Sequence, residues 1–384
     1  MTELREWSEV FLRSCARGFP ILLFSVVFWV WPTLAYALVA RSRLFGRAIA
    51  LGCGLGLTFS GVWFGYWTLE ALRFGVFCHA ICGLIATGIF FSRRFLKRVN
   101  RVLLFSIFFA VCFVLPVRLL PNQFAAPFSI YGWYFAFKAY SYAVEQREDD
   151  TLRDCLYFLM VNPVLVYAGP PGPSVTGPLR AGLRFSAGLL VVLVGYGLRG
   201  IAAVFGMENA EPTILGAACF FLSLYALHSG VTSVRIGLIR ATGRHAAEGY
   251  HYPLFARNMA DFWRRWNTYV GHWFRRYLFS PIVLGIARRK RSIPLDVSKA
   301  VALFVTFVAV GVAHDAQIIA RSGSLLVRNT TFFMAAALLL LLWIGVERLL
   351  TRATVMARLT KFVPLSRVAL LIVLLVVAGE RWRP

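Results

Sequence analysis

Acidic side chains are scarce in this chain, where 17 Asp and Glu stand against 41 Lys and Arg among 384 residues, for a formal net charge of +24. Lysine is scarcer still: 36 arginines outnumber 5 lysines, a bias that suggests a GC-rich coding genome and a bacterial source. Polar stretches are also few. With 59% hydrophobic residues, 15% aromatic residues and a mean hydropathy of +0.68, the composition excludes a soluble cytosolic enzyme of ordinary make-up. The arginines punctuate long apolar runs rather than forming one basic face. That pattern argues against nucleic acid as a partner and for cytoplasmic loops of a polytopic membrane protein in contact with anionic lipid.

Several enzyme signatures are absent from the sequence. It contains no phosphate loop of the G-x-x-x-x-G-K type, no serine-nucleophile elbow and no C-x-x-C pair. The seven cysteines are odd in number, scattered and mostly inside apolar runs, so no disulfide framework is implied. Cys78, His79 and Cys82 share one helical stretch, but two thiols and one imidazole are too few for a metal site, and none is expected.

Long apolar windows are what the sequence does have. A spanning helix needs about 20 apolar residues, and the windows 18–40, 48–69, 72–92, 102–120, 183–204, 213–235, 299–320, 331–350 and 363–379 qualify. Windows 129–145 and 152–168 contain Lys138, Ser141 and Asn162 and read either as spans facing the bundle interior or as helices shielded from lipid. The expected fold is therefore an all-α polytopic membrane protein of about nine to eleven spans. The first run is long, carries Trp29, Trp31 and Pro32, and lacks a small-residue cleavage site, so it reads as a retained span. Arginines after the first and third spans place those loops in the cytoplasm and the N-terminus outside. Glycines 52, 56, 61 and 65 suggest close helix packing in the second span.

Residues 241–298 break this pattern, being rich in Arg and Trp and having no apolar run long enough to span. Read as one helix from Ala260 to Pro281, the stretch has two faces. Phe262, Trp266, Tyr269, Val270, Trp273 and Tyr277 recur at steps of three and four, while Arg264, Arg265, His272, Arg275 and Arg276 gather elsewhere. Asp261 and Arg265 are one turn apart and can pair. An interfacial helix, with aromatics at the headgroup level and arginines on phosphates, satisfies this pattern without any chemistry. Two polar outliers point further. Asn267 lies beside the aromatic stripe, and His314-Asp315 sits inside the apolar span 299–320. Ionisable residues at such depth are expensive and mark function by default. A desolvated imidazole stays neutral and able to accept a proton, as a general base must; the alternative is a histidine satisfied by a neighbouring helix.

The block Phe262-Trp263-Arg264-Arg265-Trp266-Asn267, followed by Trp273-Phe274-Arg275-Arg276-Tyr277-Leu278, Pro281 and a histidine in the next span, resembles the membrane-bound O-acyltransferase (MBOAT) family. Tyr250-His251-Tyr252-Pro253, Ser141-Tyr142 and Tyr167-Ala168-Gly169-Pro170 with Arg180 extend the likeness over roughly 130–320. The resemblance implies a bundle with interfacial or re-entrant helices around a central tunnel. It divides the single membrane domain into N-terminal helices 1–128, a catalytic core 129–320 and C-terminal helices 321–384. Members that acetylate polysaccharide or alanylate teichoic acid usually carry histidine where this chain has Asn267, and Trp-His-Gly where it has Ala313-His314-Asp315. Asparagine there, with histidine followed by an acid, is more similar to the wax-ester, sterol and diacylglycerol branch, and Gly169-Pro170-Pro171 departs from the family's Gly-Pro-Ile.

The implied reaction is transfer of an acyl group from a thioester, acyl-coenzyme A being expected, to a hydroxyl of a lipid or glycan. His314 is the expected base, Asn267 an orienting, oxyanion or donor-binding group, and Asp315 a supporting residue. Trp263, Trp266 and Trp273 are expected to line an acyl tunnel. Arg264, Arg265, Arg275 and Arg276 are expected to bind the donor's phosphates, though lipid headgroups would satisfy them equally. No resident cofactor is called for. The expected partners are membrane lipids, donor, acceptor and an accessory protein; the expected location is the bacterial inner membrane. A catalytically silent lipid-binding or transport protein of the same fold is the alternative.

Overall fold

The computed structural model describes residues 9–10, 31–38, 44–63, 69–114, 122–170, 172–207, 213–257, 259–289, 293–322 and 327–352. Described residues form helices and connecting loops with no strand, the one β-contact being an isolated bridge between Pro173 and Arg244. The windows 18–40 and 363–379 fall mostly or wholly outside the described residues. Among the described residues, four helices are long and apolar enough to cross a membrane: Pro178–Phe205, Ile214–Ala241, Leu295–Ala316 and Arg328–Val346. They coincide with four of the windows read from the sequence, and the chain is a multi-pass integral membrane protein.

The chain divides into two compact units, one of residues 1–205 and 222–248, the other of 206–221 and 249–384. In the first, α1 (Leu44–Trp63), α2 (Leu69–Phe91) and α3 (Arg101–Phe109) precede α4 (Asn122–Glu145) and a short α5 (Leu152–Leu156). The 152–168 window does not span. α5 runs into a single π-turn, Tyr157–Val161, and the helix stops at Asn162-Pro163. Proline disfavours helical geometry in the residue before it; Asn162 adopts an extended ψ of 131° and its Oδ1 accepts from the Val164 amide at 3.0 Å. Lys138 explains why its own window is not purely apolar. The buried Nζ of Lys138 on α4 donates to the carbonyls of Leu159 (2.8 Å) and Asn162 (2.6 Å), satisfying groups that the ended helix leaves behind.

Of the four glycines expected to pack closely, Gly52 alone has a described environment, and on the same helix Gly46 approaches the Ala241 carbonyl. Gly52 has nothing within 4 Å of a virtual Cβ, whereas on α6 (Pro178–Ala202) and α7 (Ile214–Ala241) such atoms at Gly188, Gly230 and Gly237 would come within 2.7 Å of the opposing helix. Small residues let these two spans approach backbone to backbone. Ser141 Oγ accepts from the Tyr167 amide at 2.7 Å, and Tyr142 and Tyr167 rings meet at 4.9 Å, so two motif segments far apart in sequence are adjacent here.

The second unit carries the Arg- and Trp-rich stretch. It is helical but interrupted: α8 (Met259–Arg265), α9 (Thr268–Phe274), a π-turn Arg275–Phe279, and α10 (Ser280–Arg289). α11 (Leu295–Ser322) and α12 (Arg328–Arg352) follow. Phe221, Ala256, Phe262 and Leu340 form its core, with Trp263, Trp266, Leu303 and Phe307 packed against them.

Candidate active site

The single two-faced helix expected from Ala260 to Pro281 is broken at Trp266-Asn267. Asn267 takes φ 37°, ψ 65°, a left-handed conformation that asparagine adopts more readily than most residues. The break leaves backbone groups needing partners. Residues 249–251 supply them: the His251 amide donates to the Arg265 carbonyl at 3.0 Å, and the Thr268 amide donates to the Gly249 carbonyl at 2.8 Å. Tyr250 completes the strap with its ring against Trp266 at 5.6 Å. The aromatic-proline lead-in thus sets the bend on which Asn267 sits.

Asp261 fixes the helix on the other side of that bend. Its Oδ2 accepts from Arg265 Nε (2.9 Å) and the Arg257 amide (3.1 Å), and its Oδ1 from Arg264 Nη2 (2.9 Å). Burial opposes ionisation, but the hydrogen bonds from Arg265, the Arg257 amide and Arg264 win and hold the carboxyl down at about 2. The predicted Asp261–Arg265 pair is therefore present, and Arg265, expected on a donor phosphate, is engaged by Asp261. Arg264 shares that carboxylate while keeping 73% of its side chain exposed. Arg275 and Arg276 are exposed on the π-turn. Trp273 is buried, its ring against Phe274 and Tyr277.

His314 lies on α11, half-buried, with Nδ1 2.7 Å from the Val310 carbonyl one turn earlier. A carbonyl can only accept, so in the neutral ring Nδ1 carries the proton and Nε2 the lone pair. The ring packs against Phe333 of α12 at 5.1 Å. Phe333 in turn meets Trp263 (6.1 Å) and Phe307 (6.3 Å), and Trp263 stands edge-on to Phe307 at 5.3 Å. Through Phe262, which contacts Trp263 at 5.3 Å and Trp266 at 5.4 Å, one aromatic network connects the imidazole with the residue preceding Asn267. The indole N–H of Trp263 is buried within it, and no acceptor among the described residues reaches it. Such a donor asks for an explanation, because an unmet buried N–H costs about 1–3 kcal/mol.

Asp315 faces away from this network's chemistry. Oδ1 accepts from the Asn329 amide and Nδ2 (2.8 Å each), and Oδ2 from the Thr330 amide (2.7 Å) and hydroxyl (2.6 Å). A carboxylate at the start of α12 neutralises its orphan amides and suits the positive end of the helix dipole. One turn earlier, Gly311 admits α12 so closely that a Cβ there would lie 2.5 Å from Thr330 Cα. Gly311 and Asp315 together fix the His314-bearing helix against α12. Phe333 was not evident in the sequence, being one aromatic in an apolar span; Tyr250-His251-Tyr252-Pro253 stood out as a motif, but the backbone pairing of 249–251 with Arg265 and Thr268 did not. Among the described residues no three His, Cys, Asp or Glu side chains converge on a possible ion site.

No protein-family model matches the chain. It is similar to teichoic acid D-alanyltransferase of Bacillus subtilis, with 26% identity over 95 residues, 25% of this chain and 24% of that protein. It is similar to the probable alginate O-acetylase AlgI of Pseudomonas fluorescens, with 32% identity over 118 residues, 30% of this chain and 22% of the relative. A probable long-chain-alcohol O-fatty-acyltransferase 7 of Arabidopsis thaliana matches at 33% over 88 residues, 22% of this chain and 24% of the relative. The matched stretch spans about a quarter of each relative's length. Fold and site define the class, a helical multi-pass membrane protein with an imidazole on a membrane-length helix beside a broken amphipathic one. The relatives are members of the membrane-bound O-acyltransferase family, the one that the Trp-Arg-Arg-Trp block and the histidine resemble.

Proposed function

We propose that the protein is a membrane-bound O-acyltransferase that moves an acyl group from a thioester to a hydroxyl, with His314 as general base. The observation that carries this reading is the contact of His314 Nδ1 with the Val310 carbonyl at 2.7 Å, which in the neutral ring leaves on Nε2 the lone pair a base requires. In the reaction Nε2 takes the hydroxyl proton as the oxygen adds to the thioester carbonyl. The tetrahedral oxyanion then collapses, the C–S bond breaks, and the imidazolium returns its proton to the leaving thiolate. The Asn267 amide donates to the oxyanion or orients the donor, a contribution of typically about 10²–10³ in rate. The buried Trp263 N–H is a second donor for an acyl oxygen, and Trp266 and Trp273 flank the chain's path. Asp315 acts through the placement of α11.

The donor we propose is acyl-coenzyme A, its phosphates met by Arg264, Arg275 and Arg276, with Arg265 holding the helix through Asp261. The acceptor is a hydroxyl-bearing lipid or glycan in a bacterial inner membrane, delivered by an accessory protein if it is a glycan, and the reaction needs no resident cofactor. Names of the similar proteins mention alginate, teichoic acid and a long-chain alcohol, so acyl transfer is what they share. The test is release of free thiol from acyl-coenzyme A by purified protein in proteoliposomes, with labelled acyl group traced into a panel of long-chain alcohols, diacylglycerol and polysaccharide. Acceptor-dependent thiol release with label in one panel member supports the proposal. Thiol release absent with every member, in protein shown to be folded, overturns it.

A further inference from the structure

α10 has an apolar sequence, Ser280-Pro-Ile-Val-Leu-Gly-Ile-Ala-Arg-Arg289, yet not one of its residues is buried. It forms one wall of a groove of about 430 Å³, within the range of small-molecule sites. Ile282 and Ile286 line it together with Ile293, just before α11, and Val297 in the first turn of α11, and Arg289 lines the groove from the last position of α10. Seven residues at 1.5 Å rise give the Ile282–Arg289 wall a length of about 10 Å. Gly285 lies along it, and a Cβ built there meets nothing within 4 Å, so the groove continues over the glycine. Ser298, the other polar residue lining it, turns its hydroxyl to the Pro294 carbonyl of its own helix at 3.5 Å.

A lipid-facing wall needs neither concavity nor charge. Here a concave apolar surface is joined to a guanidinium, and among the described residues no carboxylate pairs with Arg289 or with its neighbour Arg288. The nearest acid in sequence, Asp296, pairs with Lys299 at 3.8 Å. The groove also lies at the N-terminal end of the span Leu295–Ala316, where a helix leaves the membrane and headgroup phosphates are found. Apolar lining plus one unpaired cation at that level is complementary to an amphiphile with one anionic head and an apolar tail.

We infer that this groove is a binding site for an anionic phospholipid, with an acyl chain lying along Ile282, Gly285, Ile286 and Val297 and the phosphate held by Arg289. The site is separate from the imidazole, and its occupancy is read without turnover, so it stands or falls independently of the acyl-transfer reading. The test uses the full chain in phosphatidylcholine vesicles doped with phosphatidylglycerol carrying a photoreactive diazirine in its acyl chain, and in parallel with the matching phosphatidylcholine probe. Adduct positions are mapped by peptide mass spectrometry. Adducts are expected to concentrate on 280–289 and 293–301, several-fold more with the phosphatidylglycerol probe. Gly285→Phe, which fills the groove, is expected to cut them several-fold, Gly285→Ala to leave most of them, and Arg289→Gln to erase the preference for phosphatidylglycerol. Adducts spread over all apolar helices in proportion to exposure, or equal labelling by the two probes in the unaltered chain, overturn the inference, and both are readable even if Gly285→Phe fails to fold.

Discussion

Replacing Asp315 with asparagine separates two roles that the sequence leaves open. The carboxylate accepts from four donors of Asn329 and Thr330 at 2.6–2.8 Å. Asparagine keeps one acceptor oxygen and turns an NH2 toward the other two donors. The Thr330 hydroxyl can rotate to accept, but one buried backbone amide loses its partner at a cost of about 1–3 kcal/mol. Loss of the charge at the α12 N-terminus adds about 0.3–1 kcal/mol. Asp315→Asn is therefore expected to destabilise the protein by about 1–4 kcal/mol, most of it in the α11–α12 hairpin. The assay is the unfolding midpoint in detergent, measured beside acyl-transfer turnover corrected for folded protein. Wild-type stability would refute the capping role. A fall in turnover of about 10²-fold or more in variant protein of unchanged stability would place the carboxylate on His314 itself.

Three further outcomes follow from the same geometry. Gly311→Ala puts a methyl 2.5 Å from Thr330 Cα and is expected to cost about 1–3 kcal/mol by forcing α11 and α12 apart, read in the same unfolding assay; a neutral result would mean the helices do not pack this closely. Asn267→Gly keeps the left-handed backbone and loses the amide, so it should fold normally and lose about 10²–10³ in turnover, whereas Asn267→Val adds about 1–3 kcal/mol of backbone strain; equal behaviour of the two variants contradicts the division of roles. The Asp261 carboxyl titrates at about 2 in the folded chain, below its ordinary value, so its stabilisation is complete above about pH 4 and lost as pH falls toward about 2. Asp261→Asn should flatten that acid limb of the stability curve, and an unchanged limb would show that the clamp contributes nothing there.

The parts of this molecule legible in its sequence are those written as composition over a whole helix. The four described spans announce themselves because twenty apolar residues in a row have few other uses, and His314 stands out because an ionisable group in such a run is expensive. The Asp261–Arg265 pair follows from one-turn spacing. What stayed hidden depends on single dihedral angles and on residues distant in sequence. A period of 3.6 carries through Trp266-Asn267 uninterrupted, so periodicity reads one helix where a left-handed asparagine makes two. Tyr250-His251-Tyr252-Pro253 is legible as a motif, but the backbone bonds that strap 249–251 to the bend leave no residue signature. Asp315 follows His314 directly, and adjacency suggested cooperation; successive residues on a helix point about 100° apart, and the carboxylate reaches α12 while the imidazole bonds back to Val310. Gly188, Gly230 and Gly237 contact one another's helices in a way that only the fold could show, while Gly52, equally suggestive in sequence, touches nothing.

The most direct measurement of the central claim is the transfer rate of His314→Gln in proteoliposomes, with the unfolding midpoint taken on the same preparation. Glutamine retains an N–H for the Val310 carbonyl and removes the basic nitrogen. Transfer is expected to fall about 10²–10⁴-fold with the midpoint unchanged. A folded His314→Gln protein that transfers acyl groups within about twofold of the natural rate would remove His314 as the base.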